Sequence, residues 1–271
     1  MKNNLHGMLR SDQSIMVCVA RGYIDYNKGT SVNGSGYNAA KYADLGRVTL
    51  EKLVPGMTLL HQYGSAWKCP KYSFYVHSTG GHCGTWGGSA SIGRSSYWGE
   101  NDSHIWAENW RLTAGNGSAY SSNWVSGRLY ILIFAPFLDI PTPVTPKWGM
   151  QMFNSNKQQS YNTHYMPHVL RGLSDIPPYS LDVLDWNNGI APPDTVEPAR
   201  LPAVPPITLG AASRGQTGTT LVTYYDPQNH RVSARSAGTM TTSQRQQWRY
   251  DIYGNSKPQF KVPIIHAADY F

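Results

Sequence analysis

Aromatic and acidic side chains are interleaved in one segment of the chain, in a composition that could bind or cleave a sugar. Carboxylates beside aromatic rings are typical of a glycosidase cleft, and equally of a sugar-binding site without catalysis. The candidate residues are Trp98, Glu100, Asp102, Trp106 and Trp110. Because Trp106, Glu108 and Trp110 alternate with period two, they also fit a strand that packs its tryptophans into a core. The sequence favours core packing over sugar binding, and sugar binding over hydrolysis.

Cysteine and histidine side chains of the types that bind zinc lie close together between residues 69 and 83. They are Cys69, His77, His82 and Cys83. Their spacing matches no familiar zinc pattern, and the adjacent His82 and Cys83 cannot easily converge from a strand. We therefore expect loop histidines and a buried thiol here, with no metal and no cofactor.

Nucleophile and nucleotide motifs are missing from the sequence. The Gly- and Ser-rich stretch at 87–91 lacks the Gly-x-Ser-x-Gly spacing of a nucleophile elbow, and there is no phosphate-binding loop or dinucleotide glycine motif. We therefore predict no catalytic residues and no enzymatic activity.

The composition predicts an all-β fold. Charged residues make up 14% of the 271 residues, whereas soluble domains average about a quarter. Gly, Ser, Thr, Asn and Tyr take their place, which suits strands and loops better than helices. The 26 glycines and 18 prolines indicate many turns. The best candidate for a helical turn lies near Ala39–Leu45.

The charge and cysteine content narrow the expected partners. Lys and Arg exceed Asp and Glu by 23 to 16, but the basic residues are scattered singly, so we expect no nucleic acid. Three cysteines without a C-x-x-C pair predict reduced thiols and synthesis in a cytoplasm. The N-terminus has no apolar signal segment, and the longest apolar stretch, near Leu129–Leu138, is too short to span a membrane. We therefore expect no membrane insertion.

Two successive β domains are predicted by the pattern along the chain. The segment from Arg128 to Ile140 is apolar enough to be a strand buried on both faces. The next six residues, 141–146, contain three prolines and predict a stiff, extended linker. We therefore predict two tandem antiparallel β-sandwich-like domains, residues 1–140 and 147–271.

The second predicted domain contains two hairpins and a closing strand. The first hairpin begins at Trp148 and turns at 154–158, and the second turns at Asp226. The last apolar segment, Val262–Ala268, parallels the closing strand of the first domain.

Proline-rich segments outside the strands are predicted to be pre-extended arms. Such arms lose little entropy when they dock on a partner. The arm of the second domain spans residues 192–206, and we expect it to pack on another chain rather than inside its own domain. Its prolines are Pro192, Pro193, Pro198, Pro202, Pro205 and Pro206.

The first hairpin resembles the opening hairpin of small minor tail proteins of tailed bacteriophages. The residues that carry the resemblance are Gly149, Gln151, Phe153 and Asn154, in a strand followed by a polar turn and a second strand. These proteins close with an apolar, aromatic strand ending in Gly-Pro or Ala-Pro. The segment Tyr130–Pro136 resembles that closing strand, and Val262–Ala268 does so more weakly.

This resemblance implies a non-enzymatic structural subunit of the virion. Such a subunit is a minor tail, tail-tip or collar protein, made in the cytoplasm of a bacterial host and assembled with other tail proteins. We expect a homo-oligomer. The alternative is a receptor-binding module that recognises a host surface glycan through its Trp-rich loops.

Overall fold

The computed structural model describes twelve ranges of the chain, in which antiparallel strands dominate and the helical parts are three-residue 3-10 turns. The all-β prediction is therefore confirmed, while the arrangement as two sandwiches stays a prediction. The described residues are 14–26, 30–33, 41–63, 67–79, 90–91, 98–101, 104–111, 127–176, 189–214, 217–227, 229–236 and 260–271.

Nineteen strands are found within these ranges. In chain order they are β1 (Met16–Tyr26), β2 (Thr30–Asn33), β3 (Lys41–Thr49), β4 (Glu51–Lys52), β5 (Leu60–Tyr63), β6 (Trp67–Pro70), β7 (Ser73–Ser78), β8 (Ala90–Ser91), β9 (Trp98–Asn101), β10 (His104–Arg111), β11 (Gly127–Pro136), β12 (Gln151–Phe153), β13 (Gln159–Asn162), β14 (Gly172–Ile176), β15 (Pro202–Ala203), β16 (Thr208–Arg214), β17 (Thr217–Asp226), β18 (Arg231–Ser236) and β19 (Phe260–His266).

A four-stranded sheet in the order β4-β1-β11-β7 lies at the centre of the described structure. Strands β1 and β11 pair along their whole length, from Met16 opposite Pro136 to Tyr26 opposite Gly127. The run Ile131–Ala135 is fully buried, which confirms the predicted strand with both faces covered. Such a strand has no polar alternation because neither side meets water.

One face of the central sheet, here called the first face, packs mostly on residues from its own half of the chain. Leu129, Ile131 and Ile133 project from β11 on this side and join one apolar cluster. The end of β3 and the chain that follows it cover them with these buried side chains: Val48, Leu50, Val54, Met57 and Leu59.

The opposite face, the second face, is covered by the other half of the chain. Leu132 and Phe134 lie on this side in a cluster with Cys18 and Tyr75. The covering residues come from β15, β19 and the chain that follows: Ala203, Ile265, Ala267 and Tyr270. The two halves therefore share a core.

The second half of the chain also forms backbone hydrogen bonds with both sides of the central sheet. On one edge, the Cys18 N–H donates to the carbonyl of Met166 at 2.9 Å, and the His168 N–H donates to the carbonyl of Met16 at 2.7 Å. On the other edge, Val76 and Val204 exchange two backbone hydrogen bonds of 3.0 and 3.1 Å. We call residues 166–168 and 202–204 the first and second clamp.

The linker at 141–146 marks a change in sequence pattern, and its role as a domain boundary stays a prediction. Both clamps lie beyond it, and both bind strands that precede it. If the linker separates two domains, those domains pack against each other through the second face of the central sheet.

The remaining described strands form smaller sheets. Strand β3 lies between β2 and β10, and β19 lies between β14 and β15. The two predicted hairpins are confirmed as β12–β13 and β17–β18. The predicted helical turn near Ala39–Leu45 is wrong, because residues from Lys41 onward form β3. Pairing with β10 on one side and β2 on the other outweighs the weak local propensity.

Replacing Phe134 by Ala tests how far the shared face stabilises the fold. Its ring is fully buried and packs edge-on against Tyr75 and Tyr270. We expect Phe134→Ala to lower the free energy of unfolding by about 3–5 kcal/mol, measured by urea titration. Leu138→Ala, two residues beyond the end of β11 and half-exposed, is the control and should cost less than about 0.5 kcal/mol. Equal losses in both variants would contradict the shared core.

Candidate functional site

The residues predicted to bind sugar lie on two neighbouring strands. Trp98 on β9 and Trp106 on β10 are directly opposite each other in the register, and Glu100 lies at the irregularity between these strands. Trp110 lies further along β10, opposite Ser91. Asp102 lies outside the described residues. Strand β10 confirms the alternation of Trp106, Glu108 and Trp110 along a strand, and sugar binding stays a prediction.

The four residues considered as zinc ligands do not all lie within the described part of the chain. Cys69 belongs to β6, whereas His82 and Cys83 lie outside the described residues. His77 is buried, and its Nδ1–H donates to the carbonyl of Pro202 at 2.7 Å. Within the described part of the chain, no three His, Cys, Asp or Glu side chains are placed to hold a metal.

The proline-rich arm takes a course that differs from the prediction. We expected residues 192–206 to pack on another chain, but much of this segment packs on its own. Pro192 and Pro202 are buried, and Pro202 pairs with His266 in β15–β19. Pro205 and Pro206 are half-buried, while Pro193 and Pro198 are exposed. The physical reason is that Pro202 and the two residues after it complete the edge of the central sheet.

Ionic and polar contacts fix the exposed part of this segment. Asp269 accepts a hydrogen bond of 2.7 Å from Arg171 and another from Arg200. Burial alone would raise the pKa of Asp269, but the two guanidinium groups outweigh it and hold the pKa below its usual value. The segment is therefore held as part of the fold, and a contact with another chain would have to use its outer side.

Aromatic rings close the open end of the second face. Tyr23, Tyr130 and Phe271 lie within 5.1–6.1 Å of one another, measured between ring centroids. The guanidinium of Arg128 lies 4.2 Å from the centroid of Tyr23 and binds both carboxylate oxygens of Asp25. Because Arg128 is already paired within this group, we assign it to the closure of the core.

The strongest candidate for an interaction surface is the hairpin formed by residues 147–162, here called the exposed hairpin. Its turn is built by Asn154, whose side-chain oxygen accepts the N–H groups of Asn156 and Gln158 at 3.0 and 2.9 Å. Lys157 takes the left-handed conformation that such a turn needs. These local contacts define the hairpin without help from any partner.

Buried polar contacts anchor the base of the exposed hairpin to the body of the protein. Asn162 is fully buried, and its amide donates to the carbonyl of Val144 at 3.0 Å. The Val144 N–H in turn donates to the hydroxyl of Tyr165 at 2.9 Å. The ring of Tyr165 packs on Phe137, which follows β11 directly. The hairpin is therefore fixed in its position.

Large apolar side chains point outward from this anchored hairpin. Trp148 is 92% exposed, Met150 59% and Phe153 57%. An isolated exposed apolar residue is ordinary, but three within six residues of one short element are typical of a contact surface. The chain from 140 to 174 contains no Asp or Glu but has Lys147 and Lys157 in the hairpin, so the surface is apolar and basic.

Comparison of the chain with family models, curated proteins and solved structures found no match. Among the described residues, no helix is long and apolar enough to cross a membrane.

The outward exposure of Trp148 and Met150 was missed by sequence reasoning. Both fall in the first strand of the predicted hairpin, and one face of such a strand is expected to be covered. One signal was available, since a stiff proline linker precedes the hairpin and its turn is polar. The linker and the polar turn indicate a hairpin that extends from the body of the protein, but they do not show whether other residues cover its apolar side chains.

Replacing Gly149 by Ala tests whether the hairpin's anchorage holds its exposed residues. Gly149 has a φ of +137°, and an added Cβ would lie 1.9 Å from Oγ1 of Thr163. That oxygen accepts the Met150 N–H, so Gly149→Ala should break the pairing and weaken amide protection across the hairpin. Gly56→Ala is the matched control, because its φ is also positive but nothing lies near the added Cβ. The control should cost about 1–2 kcal/mol and leave the hairpin amides protected. Unchanged protection in Gly149→Ala would contradict this anchorage.

Proposed function

We propose that the protein is a non-enzymatic structural subunit that assembles with other proteins through the exposed hairpin. The observation that carries this proposal is Trp148, almost fully exposed beside the exposed Met150 and Phe153 on a firmly anchored element. Burial of a large exposed aromatic side chain against a partner stabilises the complex.

The resemblance to minor tail proteins supports a more specific proposal. Its hallmark residues Gly149, Gln151, Phe153 and Asn154 all belong to the exposed hairpin. We propose a minor tail, tail-tip or collar protein of a tailed-phage virion, made in the cytoplasm of a bacterial host. Homo-oligomerisation and two sandwich-like domains at 1–140 and 147–271 are part of this proposal.

Truncating the exposed aromatic residues tests the assembly function. We expect the Trp148→Ser/Phe153→Ser double variant to keep the unfolding curve of the unaltered protein, because both side chains face solvent. Its association with itself or with tail proteins should weaken by about 30-fold or more, as for an interface hot spot. Light scattering of the purified protein and incorporation into particles during phage growth are the two measurements.

The matched control for this test is Gln151→Ser/Asn156→Ser, which changes two exposed polar residues of the same hairpin. It should assemble normally. Normal assembly and incorporation of the Trp148→Ser/Phe153→Ser variant would exclude the exposed hairpin as the assembly surface.

The alternative function, recognition of a host surface glycan, is favoured by one observation. Trp98 and Trp106 are register partners on β9 and β10, with Glu100 at the adjacent irregularity. Sugar rings stack on aromatic side chains and hydrogen-bond to neighbouring carboxylates. Glycan-array binding that is lost in Trp98→Ala but kept in Trp148→Ser would favour this alternative over assembly.

A further inference from the structure

Three histidines with little or no solvent exposure lie at the two clamps. His77 on β7 faces the second clamp, His266 pairs with it from β19, and His168 belongs to the first clamp. His77 and His266 are buried, and His168 is partly buried. His77 and His266 both contact the segment from Glu197 to Val204, here called the strap.

The contact between His77 and the strap is a single hydrogen bond in an apolar setting. The Nδ1–H of His77 donates to the carbonyl of Pro202, and its ring lies 5.8 Å from Tyr225 and 6.1 Å from Tyr130, measured between centroids. The hydroxyl of Tyr225 is bound to His230, and the carboxylate of the next residue, Asp226, accepts from Asn229. Burial lowers the pKa of His77 to about 4, because a charged ring would lose its hydration in this pocket.

The contact between His266 and the strap requires a neutral ring. Its Nε2 accepts the N–H of Glu197 at 3.0 Å, and protonation at Nε2 would replace that lone pair with a second N–H. The charged groups nearby are Asp269, Arg171, Glu197 and Arg200, and the net effect of burial and these charges is a lowered pKa for His266. The Leu201 carbonyl also binds the N–H of Ala267 at 2.9 Å, so the strap follows the end of β19 closely.

His168 places a similar group at the first clamp. Its Nε2 lies 2.9 Å from the hydroxyl of Tyr75, and its ring packs edge-on against Phe134 at 4.9 Å. Burial lowers the pKa of His168 and raises that of Tyr75 to about 12, so both groups are neutral at neutral pH. The second half is thus held on the central sheet by uncharged histidines at both edges.

We propose that the strap is an acid-sensitive latch: at neutral pH it closes the edge of the central sheet, and protonation of His77 and His266 releases it. Release separates Val204 from Val76 and removes Ala203 from the apolar cluster that includes Leu132 and Phe134 on the second face. The proposal is independent of the assembly function, because the strap and the exposed hairpin are different elements.

The sign of the pH dependence follows from the lowered pKa values. A histidine whose pKa falls from about 6.5 unfolded to about 4 folded binds fewer protons in the folded state between those two values. The strap is therefore held most firmly above pH 6.5, and the free energy that keeps it closed falls as the pH drops toward 4. At His77 the cause is the burial of a charged ring, which outweighs the Nδ1–H bond to Pro202 that protonation leaves in place. At His266 the cause is the loss of the Nε2 lone pair that accepts the Glu197 N–H. For His77 alone, the opening equilibrium constant should rise about 30-fold between pH 8 and pH 5 if the open state restores its ordinary pKa.

Amide hydrogen exchange on the whole protein tests the latch directly. We expect the protection factors of Val76, Val204 and Glu197, corrected for intrinsic exchange rates, to fall at least 10-fold between pH 8 and pH 5. The amides of Ile131 and Ile133 in β11 should stay protected at both pH values. Loss of protection at the strap and the core together would mean global acid unfolding and would overturn the proposal, as would strap protection that does not change.

Non-titrating substitutions identify the histidines as the cause. In His77→Asn the amide nitrogen can replace the Nδ1 donor, and in His266→Gln the amide oxygen can replace the Nε2 acceptor. The His77→Asn/His266→Gln variant should lose little strap protection at pH 5 relative to its own value at pH 8. His164→Gln, at an exposed histidine, is the control and should behave like the unaltered protein. If the double variant does not fold, each single variant should show a reduced pH response, and an undiminished response in both would overturn the proposal.

Discussion

The structure depends on covering strand β11 on both faces. An apolar strand in the middle of a sheet needs a layer on each side, because each exposed branched side chain forfeits about 1.5–3 kcal/mol of burial. The first half of the chain supplies most of the cover of the first face, with residues from the end of β3 onward, and Tyr165 of the second half joins the same cluster. The second half covers the other face, with Ile265 and Tyr270 as central contacts. Because both halves contribute to the same apolar cluster on the second face, they pack together across the linker.

The clamps show how this coupling is achieved through the backbone. Residues 166–168 and 202–204 pair with opposite edges of the central sheet, so edge N–H and C=O groups that could pair with a foreign strand are occupied within the chain. The segment rich in proline contributes to one clamp despite lacking several backbone donors. Val204, which follows Pro202 and Ala203, supplies the N–H that reaches Val76.

The exposed hairpin is organised in the opposite way. Its inner side carries polar anchors, such as Asn162 bound to Val144, beside the ring of Tyr161, and its outer side carries exposed apolar residues, with Trp148 almost fully exposed. A polar anchor fixes geometry because its hydrogen bonds are directional, whereas the exposed apolar surface leaves much of its area open to a partner. This division is expected for an element that must be rigid before a partner covers it. The latch that we propose at the strap lies elsewhere on the sheet and would act on the core.

The sequence by itself determined the strands and their turns. The unbroken apolar run of β11, the Asn154 and Asp226 turns and the closing strand β19 are local patterns, and local chemistry decides them. The sequence did not reveal which segments pack on which faces and edges of the sheets. It predicted that the arm at 192–206 packs on another chain, whereas Pro202 pairs with His266 within the chain, and it did not foresee that Trp148 faces solvent. It predicted Trp98 and Trp106 near each other, and the register of β9 and β10 decided that they are opposite. Pairings between residues far apart in the chain depend on tertiary structure, because periodicity gives the faces of a strand but not the identity of its neighbours.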